Sequence, residues 1–249
     1  MSDATEAILG LPAFRTEGRL PLVEAFGPTI QGEGAAAGRL AAFVRFGGCN
    51  LACVWCDSAY TWDGSRYDLR DEITMLTAGE VLARIPEQGI VVITGGEPLL
   101  NQRNPAFVAL LESLKEQGRE LHIETNGTIV PNADVRRLID VFIVSPKLPH
   151  AEAQTKRAQP VLAPGWAALH GTIDAHMKVV VITEDDVDRA VSIARESGWA
   201  LDHVWVMPEG TEKAVLDERW PSVCEWATAR GVNASHRLHV LSWGDERGR

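Results

Sequence analysis

Four short, largely apolar runs in this chain each stop at a polar or glycine- and proline-bearing motif: TGGEP, ETNG, SPK and MPEG. The runs are Ile90–Ile93, Leu121–Glu124, Val141–Val144 and Val204–Val206, and stretches with helical spacing separate them. Short apolar strands of this kind belong to parallel sheets covered on both faces. Alternation with helices implies right-handed crossovers, which place every strand end on the same edge. That C-terminal edge is where barrels and open α/β sheets bind ligands. Four such motifs on one edge are better explained by one shared site than by four unrelated turns.

The rest of the chain fits the same α/β pattern. LPLVEAFGPTIQGEGAAAGRLAAFVRFGGCN reads as a strand, a Gly-rich loop and a second strand, Leu40–Phe46, broken by Gly47 and Gly48. A helix starts near Thr77, with Val81, Leu82 and Ile85 on one face. Another runs from Asn104 to Gln117, with Phe107, Leu110, Leu111 and Leu114 at helical spacing, and Gly118 stops it. Further helices are expected over Val135–Ile139, Glu184–Ser197 and Lys213–Ala229, with a strand over His176–Ile182 and a last strand near Arg237–Leu241. Residues 1–20 read as a loose arm, and 148–172, rich in Pro, Ala and Gly, as a long irregular loop. A length of 249 residues fits one domain over the whole chain.

Lys and Arg number 24 against 34 Asp and Glu, a net charge of −10. A general nucleic-acid binder or membrane-surface binder would carry a basic face, so neither is expected; net charge says nothing against a local basic pocket for a small anionic ligand. No apolar run is long enough for a membrane helix. The N-terminus has acids where a secretory leader would have basic residues. Three of the four cysteines fall within eight residues, which disfavours a disulfide framework and fits a reducing cytoplasm.

Those three are Cys49, Cys53 and Cys56, in CNLACVWC. Thiolates are the usual ligands of iron–sulfur clusters, normally four of them. A loop with three can wrap three corners of a cubane and leave one iron open to a substrate. A structural zinc site needs a fourth ligand, and the candidates His122 and Cys224 are remote. A ferredoxin-type carrier would want a fourth cysteine followed by proline. Three structural thiols are the remaining alternative. Cys224, beside Val223 and Trp226, reads as a buried core thiol.

At CNLACVWC the sequence resembles the radical S-adenosylmethionine superfamily, in which the open iron chelates the methionine moiety and an electron from the cluster releases a 5′-deoxyadenosyl radical. Thr94-Gly95-Gly96-Glu97-Pro98 looks like that superfamily's glycine-rich motif. A narrower resemblance, to the 7-carboxy-7-deazaguanine synthase family, runs from Val23 to Gly248 through TIQGEG, FVRFGGCNLACVWCDSAYTWDG, VVITGGEPLL, HIETNGT, VSPK and RLHVLSWGDERG. It implies an incomplete (β/α) barrel, a homodimer and a flavodoxin- or ferredoxin-type electron donor. The implied reaction turns 6-carboxy-5,6,7,8-tetrahydropterin into 7-carboxy-7-deazaguanine with loss of ammonia, in queuosine or other 7-deazapurine synthesis. S-adenosylmethionine would act catalytically, with Mg2+ assisting.

The resemblance also implies a site. Ile30, Gln31, Gly32 and Glu33 match the substrate-contacting stretch, and Arg45 offers the substrate carboxylate a guanidinium. Thr94 and Glu124 match further substrate contacts, while Asn126 serves either the site or a turn network. Trp55, Cys56, Asp57, Gly96, Ser145, Pro146, Lys147 and the stretch Met207, Pro208, Glu209 and Gly210 fall where the family holds S-adenosylmethionine. Met207 stands where the family often has Gln, which points to backbone contacts there. Ser58, where the family often has Thr, is the implied Mg2+ ligand, an oxygen donor of the hard type Mg2+ prefers. Lys178 and the tryptophans other than Trp55 read as structural, and the substrate contacts of the tail WGDERG are left open. A glycyl-radical activating enzyme shares the cysteine spacing, but IQGEG and CDSAYTWDG argue against the open face it needs for a protein substrate. A non-catalytic iron–sulfur or zinc protein is the reading from another class.

Overall fold

The structure, a computed structural model, describes residues 18–152, 161–169 and 171–249. Most of the expected N-terminal arm, and residues 153–160 and 170 of the expected long loop, lie outside the described residues. The framework is one sheet of nine strands: β1 Leu20–Ile30, β2 Leu40–Phe46, β3 Thr74–Leu76, β4 Ile90–Gly95, β5 Leu121–Thr125, β6 Val141–Val144, β7 Asp174–Val181, β8 Val204–Pro208 and β9 Asn233–Ala234. Their spatial order is β3-β1-β2-β4-β5-β6-β7-β8-β9. From β2 to β9 every pairing is parallel, while β1 runs antiparallel to both β2 and β3. The two edge strands, β3 and β9, do not pair with each other, so the barrel is incomplete.

Seven α-helices accompany the strands among the described residues: α1 Leu69–Glu72, α2 Ala78–Leu82, α3 Pro105–Glu116, α4 Ala133–Leu138, α5 Glu184–Glu196, α6 Lys213–Arg230 and α7 Leu238–Trp243. Local chemistry sets their starts. Thr77 with Glu80 and Thr183 with Asp186 form capping boxes for α2 and α5, and Asn104 caps α3 just ahead of Pro105. Phe107, Leu110, Leu111 and Leu114 of α3 are fully buried, as their spacing predicts, each contributing roughly 1.5–3 kcal/mol of transfer free energy.

Strand periodicity divides the sheet into two faces. Val91, Ile93, Leu121, Ile123, Phe142, Val144, Val179 and Val181 join the helices in the main core. The residues between them on β4, β5 and β7 include Thr94, Glu124, Lys178 and Val180, which line the cleft inside the barrel. The apolar face holds the sheet, and the other face is free to carry polar chemistry.

Three expectations need correction. The last strand is the two-residue β9, paired with β8, and residues near Arg237–Leu241 instead enter α7. Arg237 turns inward to charged partners and Leu238 N–H bonds Gly32 O at 3.0 Å, so the segment leaves the sheet edge. Stretch 148–172 is not irregular throughout: Pro149–Ala151 and Pro164–Leu169 are short 3-10 helices. Trp166 in the second is 1% exposed and meets Phe142 edge-on at 5.9 Å. Cys224 is only half-buried on α6, because Val223 and Ala227 take the inward face of that turn.

Candidate active site

The cysteine loop follows β2 directly, and the neighbouring strand end fixes its first turn. Gly96 N–H donates to Phe46 O at 3.0 Å, and Glu97 N–H to Gly48 O at 2.8 Å. A Cβ on Gly96 would stand 2.1 Å from Gly48 O, so bare backbone is required for this loop contact alone. Val54 N–H bonds Ala151 O at 3.0 Å, tying the loop to the segment after β6.

All four cysteines are free thiols. Cys49, Cys53 and Cys56 gather with Leu51, Trp55 and Ala151 in a small apolar cluster. Leu51 N–H points to Cys49 Sγ at 3.5 Å, and Trp62 Nε1–H to Cys56 Sγ at 3.3 Å. Asn126 Nδ2 lies 4.0 Å from Cys49 Sγ and donates to Asn50 Oδ1 at 2.9 Å, so it serves both the site and a loop network. Burial pushes the Cys49 and Cys53 thiols up, so a cationic metal centre is what would hold them as thiolates. Among the described residues, the three sulfurs do not fall in a group within 4.8 Å of one another. That spacing disfavours a single ion between them and fits separate corners of an iron–sulfur cubane. N–H donors aimed at sulfur suit the same group.

Next to the thiols opens a cleft of about 480 Å³. Ile30, Gln31, Gly32, Glu33, Arg45, Cys49, Cys53, Trp55, Cys56, Asp57, Ser58, Thr94, Gly96, Glu124, Asn126, Ser145, Lys147 and Met207 all line it. Pro146, Pro208, Glu209 and Gly210 are not on its wall. Glu209 instead pairs with Arg219, and Gly210 O accepts from Arg237. The four strand-end motifs therefore share one site, although the outer residues of MPEG act by supporting it.

A rack of alternating charges crosses the floor. Lys178 Nζ, on β7, donates to Glu33 Oε2 at 2.6 Å and Glu124 Oε1 at 3.0 Å. Thr94 Oγ1 and Gln31 Nε2 add bonds to Glu124 at 2.9 and 3.3 Å. Arg237 Nε reaches Glu33 Oε1 at 2.8 Å, and its Nη2 pairs with Asp57. Burial alone would raise Glu33, but Lys178 and Arg237 outweigh it and hold the carboxyl well below the usual range. Asp57, although 42% exposed, is likewise held down by Arg237, and Lys178 is held up against burial by Glu124 and Glu33. The carboxylates stay ionised and the ammonium stays protonated.

Arg45 has a partner already: its Nε donates to Glu24 Oε1 at 2.7 Å. Tyr60 OH and Arg247 Nε also donate to Glu24, at 3.1 and 2.9 Å. Trp55 stacks on His150 at 5.8 Å, with Lys147 Nζ 5.6 Å from its ring.

Sequence reasoning set Lys178 aside as structural and missed Arg237, Trp62, Tyr60, His239 and Arg247, all of which line the cleft. Lys178 carried a signal, a lone charge in the apolar run His176–Ile182. The others carried none beyond their place in matching motifs.

The superfamily model of the radical S-adenosylmethionine enzymes matches residues 43–218, and the chain belongs to that superfamily. Within it, the chain is a member of the 7-carboxy-7-deazaguanine synthase family. It is 34% identical to that enzyme of Bacillus cereus, across 92% of this chain and 99% of the relative. It is 32% identical to the Bacillus subtilis enzyme over 92% and 98% of the two chains. Among solved structures, QueE from Escherichia coli matches with a TM-score of 0.65 at 23% identity, covering 95% of this chain and 99% of that one, a likeness of fold. Membership decides against the zinc protein, the electron carrier and the glycyl-radical activase.

Proposed function

We propose that this chain converts 6-carboxy-5,6,7,8-tetrahydropterin to 7-carboxy-7-deazaguanine with release of ammonia. The observation that carries the reading is one cleft where three free thiols face a rack of ionised groups, Glu33, Lys178 and Glu124. When bound, a 4Fe–4S cluster on Cys49, Cys53 and Cys56 would supply the electron that splits S-adenosylmethionine and so the radical that starts the chemistry.

The chain's own residues bind and orient. Glu33, Glu124 and Gln31 offer acceptors matched to the N–H-rich edge of an aminopyrimidine. Arg45, anchored through Nε, keeps the rest of its guanidinium for a carboxylate. Lys178 Nζ keeps its proton and fixes both carboxylates in place. Gly96, Ser145, Lys147 and Met207, with Trp55 and Asp57, would contact S-adenosylmethionine. Pro146 and Pro208–Gly210 would shape that contact from behind.

Ser58 as a Mg2+ ligand is supported by its place on the cleft wall, 3.7 Å from Cys56 Sγ. Ser58→Ala should keep the cluster's iron and weaken the Mg2+ response of turnover several-fold; an unchanged response would remove Ser58 from the ligand set. The single nine-stranded sheet supports one catalytic domain over the chain. Free cysteines support a reducing, cytoplasmic setting. No helix among the described residues is long and apolar enough to cross a membrane. Homodimer assembly and a flavodoxin- or ferredoxin-type donor are proposed from family resemblance.

The test is anaerobic turnover of the reconstituted protein with reductant, S-adenosylmethionine and the carboxytetrahydropterin. Carboxydeazaguanine is the expected product. Deoxyadenosine formed while the pterin survives would overturn the substrate assignment.

A further inference from the structure

At the opposite end of the strands from the thiols, three further side chains converge. Asp174 opens β7, His176 follows two residues later on the same face, and His203 closes the 3-10 turn that feeds β8. One ligand atom from each lies within 4.8 Å of the other two, and this is the only such group among the described residues. Asp174 Oδ1 and His176 Nε2 are 3.2 Å apart, close to the edge of a tetrahedron with metal–ligand bonds of about 2.0–2.1 Å.

The hydrogen bonding of His203 leaves one of its nitrogens able to act as a ligand. His203 Nδ1 lies 3.0 Å from Ala175 O, which can only accept, so Nδ1 carries the proton and Nε2 keeps its lone pair. A backbone carbonyl on the far nitrogen is the usual way a metal-binding imidazole is oriented. The His176 and His203 rings stack at 4.6 Å with 6° between their planes. An imidazole binds a metal through the lone pair in its own ring plane, so taking up one ion would turn one of the two rings out of this stack.

We propose that Asp174, His176 and His203 form a second metal site, for a divalent transition ion such as Zn2+, at the N-terminal end of the barrel. Two imidazoles and one carboxylate suit Zn2+ and its close neighbours rather than Mg2+ or Ca2+, which prefer all-oxygen shells. Exposed Asp174 leaves the remaining position to water. The ion would clamp the start of β7 to the turn before β8, away from the cleft.

The experiment uses holoenzyme with its cluster in place, so that the thiols are occupied. Equilibrium dialysis against Zn2+ should add one equivalent without loss of iron. Co2+ in its place should give visible bands of a nitrogen and oxygen site, without thiolate charge-transfer absorption. His203→Ala and His176→Ala should each weaken Zn2+ binding by more than the roughly 10–100-fold typical of losing an outer partner, at unchanged iron content and circular dichroism. Absence of the extra equivalent in holoenzyme, thiolate bands with Co2+, or full binding in both variants would overturn the site.

Discussion

Lys178 and Glu33 meet at 2.6 Å across the barrel mouth, although 145 residues separate them in the chain. The same ammonium holds Glu124 at 3.0 Å, so one buried cation orders two half-buried carboxylates. Removing one partner of such a pair leaves an uncompensated charge, whereas the intact pair adds little net stability.

Lys178→Met should therefore lower the unfolding free energy by about 3 kcal/mol, the low end of the usual cost because Arg237 still serves Glu33. Denaturant unfolding gives the figure, and KM for the pterin should rise while iron content holds. Stability and KM both like the parent's would show that the rack does not depend on its cation.

Glu97 gives the fold a pH dependence of its own. It is fully buried, and burial pushes its carboxyl up to about 7 from 4.5. Between pH 4.5 and 7 the unfolded state loses its proton while the folded state keeps it. Stability from this group is thus complete below 4.5 and is lost as pH rises through about 7, a few kcal/mol in all. Glu97→Gln should remove that slope. It should also be less stable throughout, because an amide nitrogen cannot accept from the Thr125 hydroxyl or Asn126 N–H. Parallel stability profiles for the two proteins from pH 5 to 8 would refute the assignment.

Gly96→Ala should damage the cluster loop before it damages the fold. Its Cβ would meet Gly48 O at 2.1 Å and Cys49 Cβ at 3.0 Å. Iron after reconstitution should fall well below the roughly four atoms of a full cluster, while circular dichroism stays near that of the parent. Full iron loading would show that the loop yields to the methyl group.

Trp62→Phe removes the N–H aimed at Cys56 Sγ and keeps an aromatic ring of smaller size. Hydrogen bonds to cluster sulfurs stabilise the more negative, reduced state, so the variant's potential should shift downward. Anaerobic redox titration reads this directly, and a potential equal to or above the parent's would count against the bond.

Much of the scaffold was legible because it is local. Strands β2, β4 and β6 coincide with their apolar runs, and Thr77 and Asn104 begin helices through their own side chains. Arg237–Leu241 was misread because alternation in five residues looks alike in a strand and in a helix that buries only Val240. What pulled this segment out of the sheet was the demand of Glu33 and Asp57 for a cation.

Three thiols at the end of a parallel strand and four motifs along its edge could be read from the order of residues alone. Hydrophobic period and residue spacing are properties of neighbouring residues, so they can be read without a fold. It took the fold to bring Lys178 into the site and Arg237 to Glu33. The fold also brought a ligand atom from each of Asp174, His176 and His203 within 4.8 Å of the other two. Those relations depend on sheet register and curvature, which bring together groups that the chain keeps far apart.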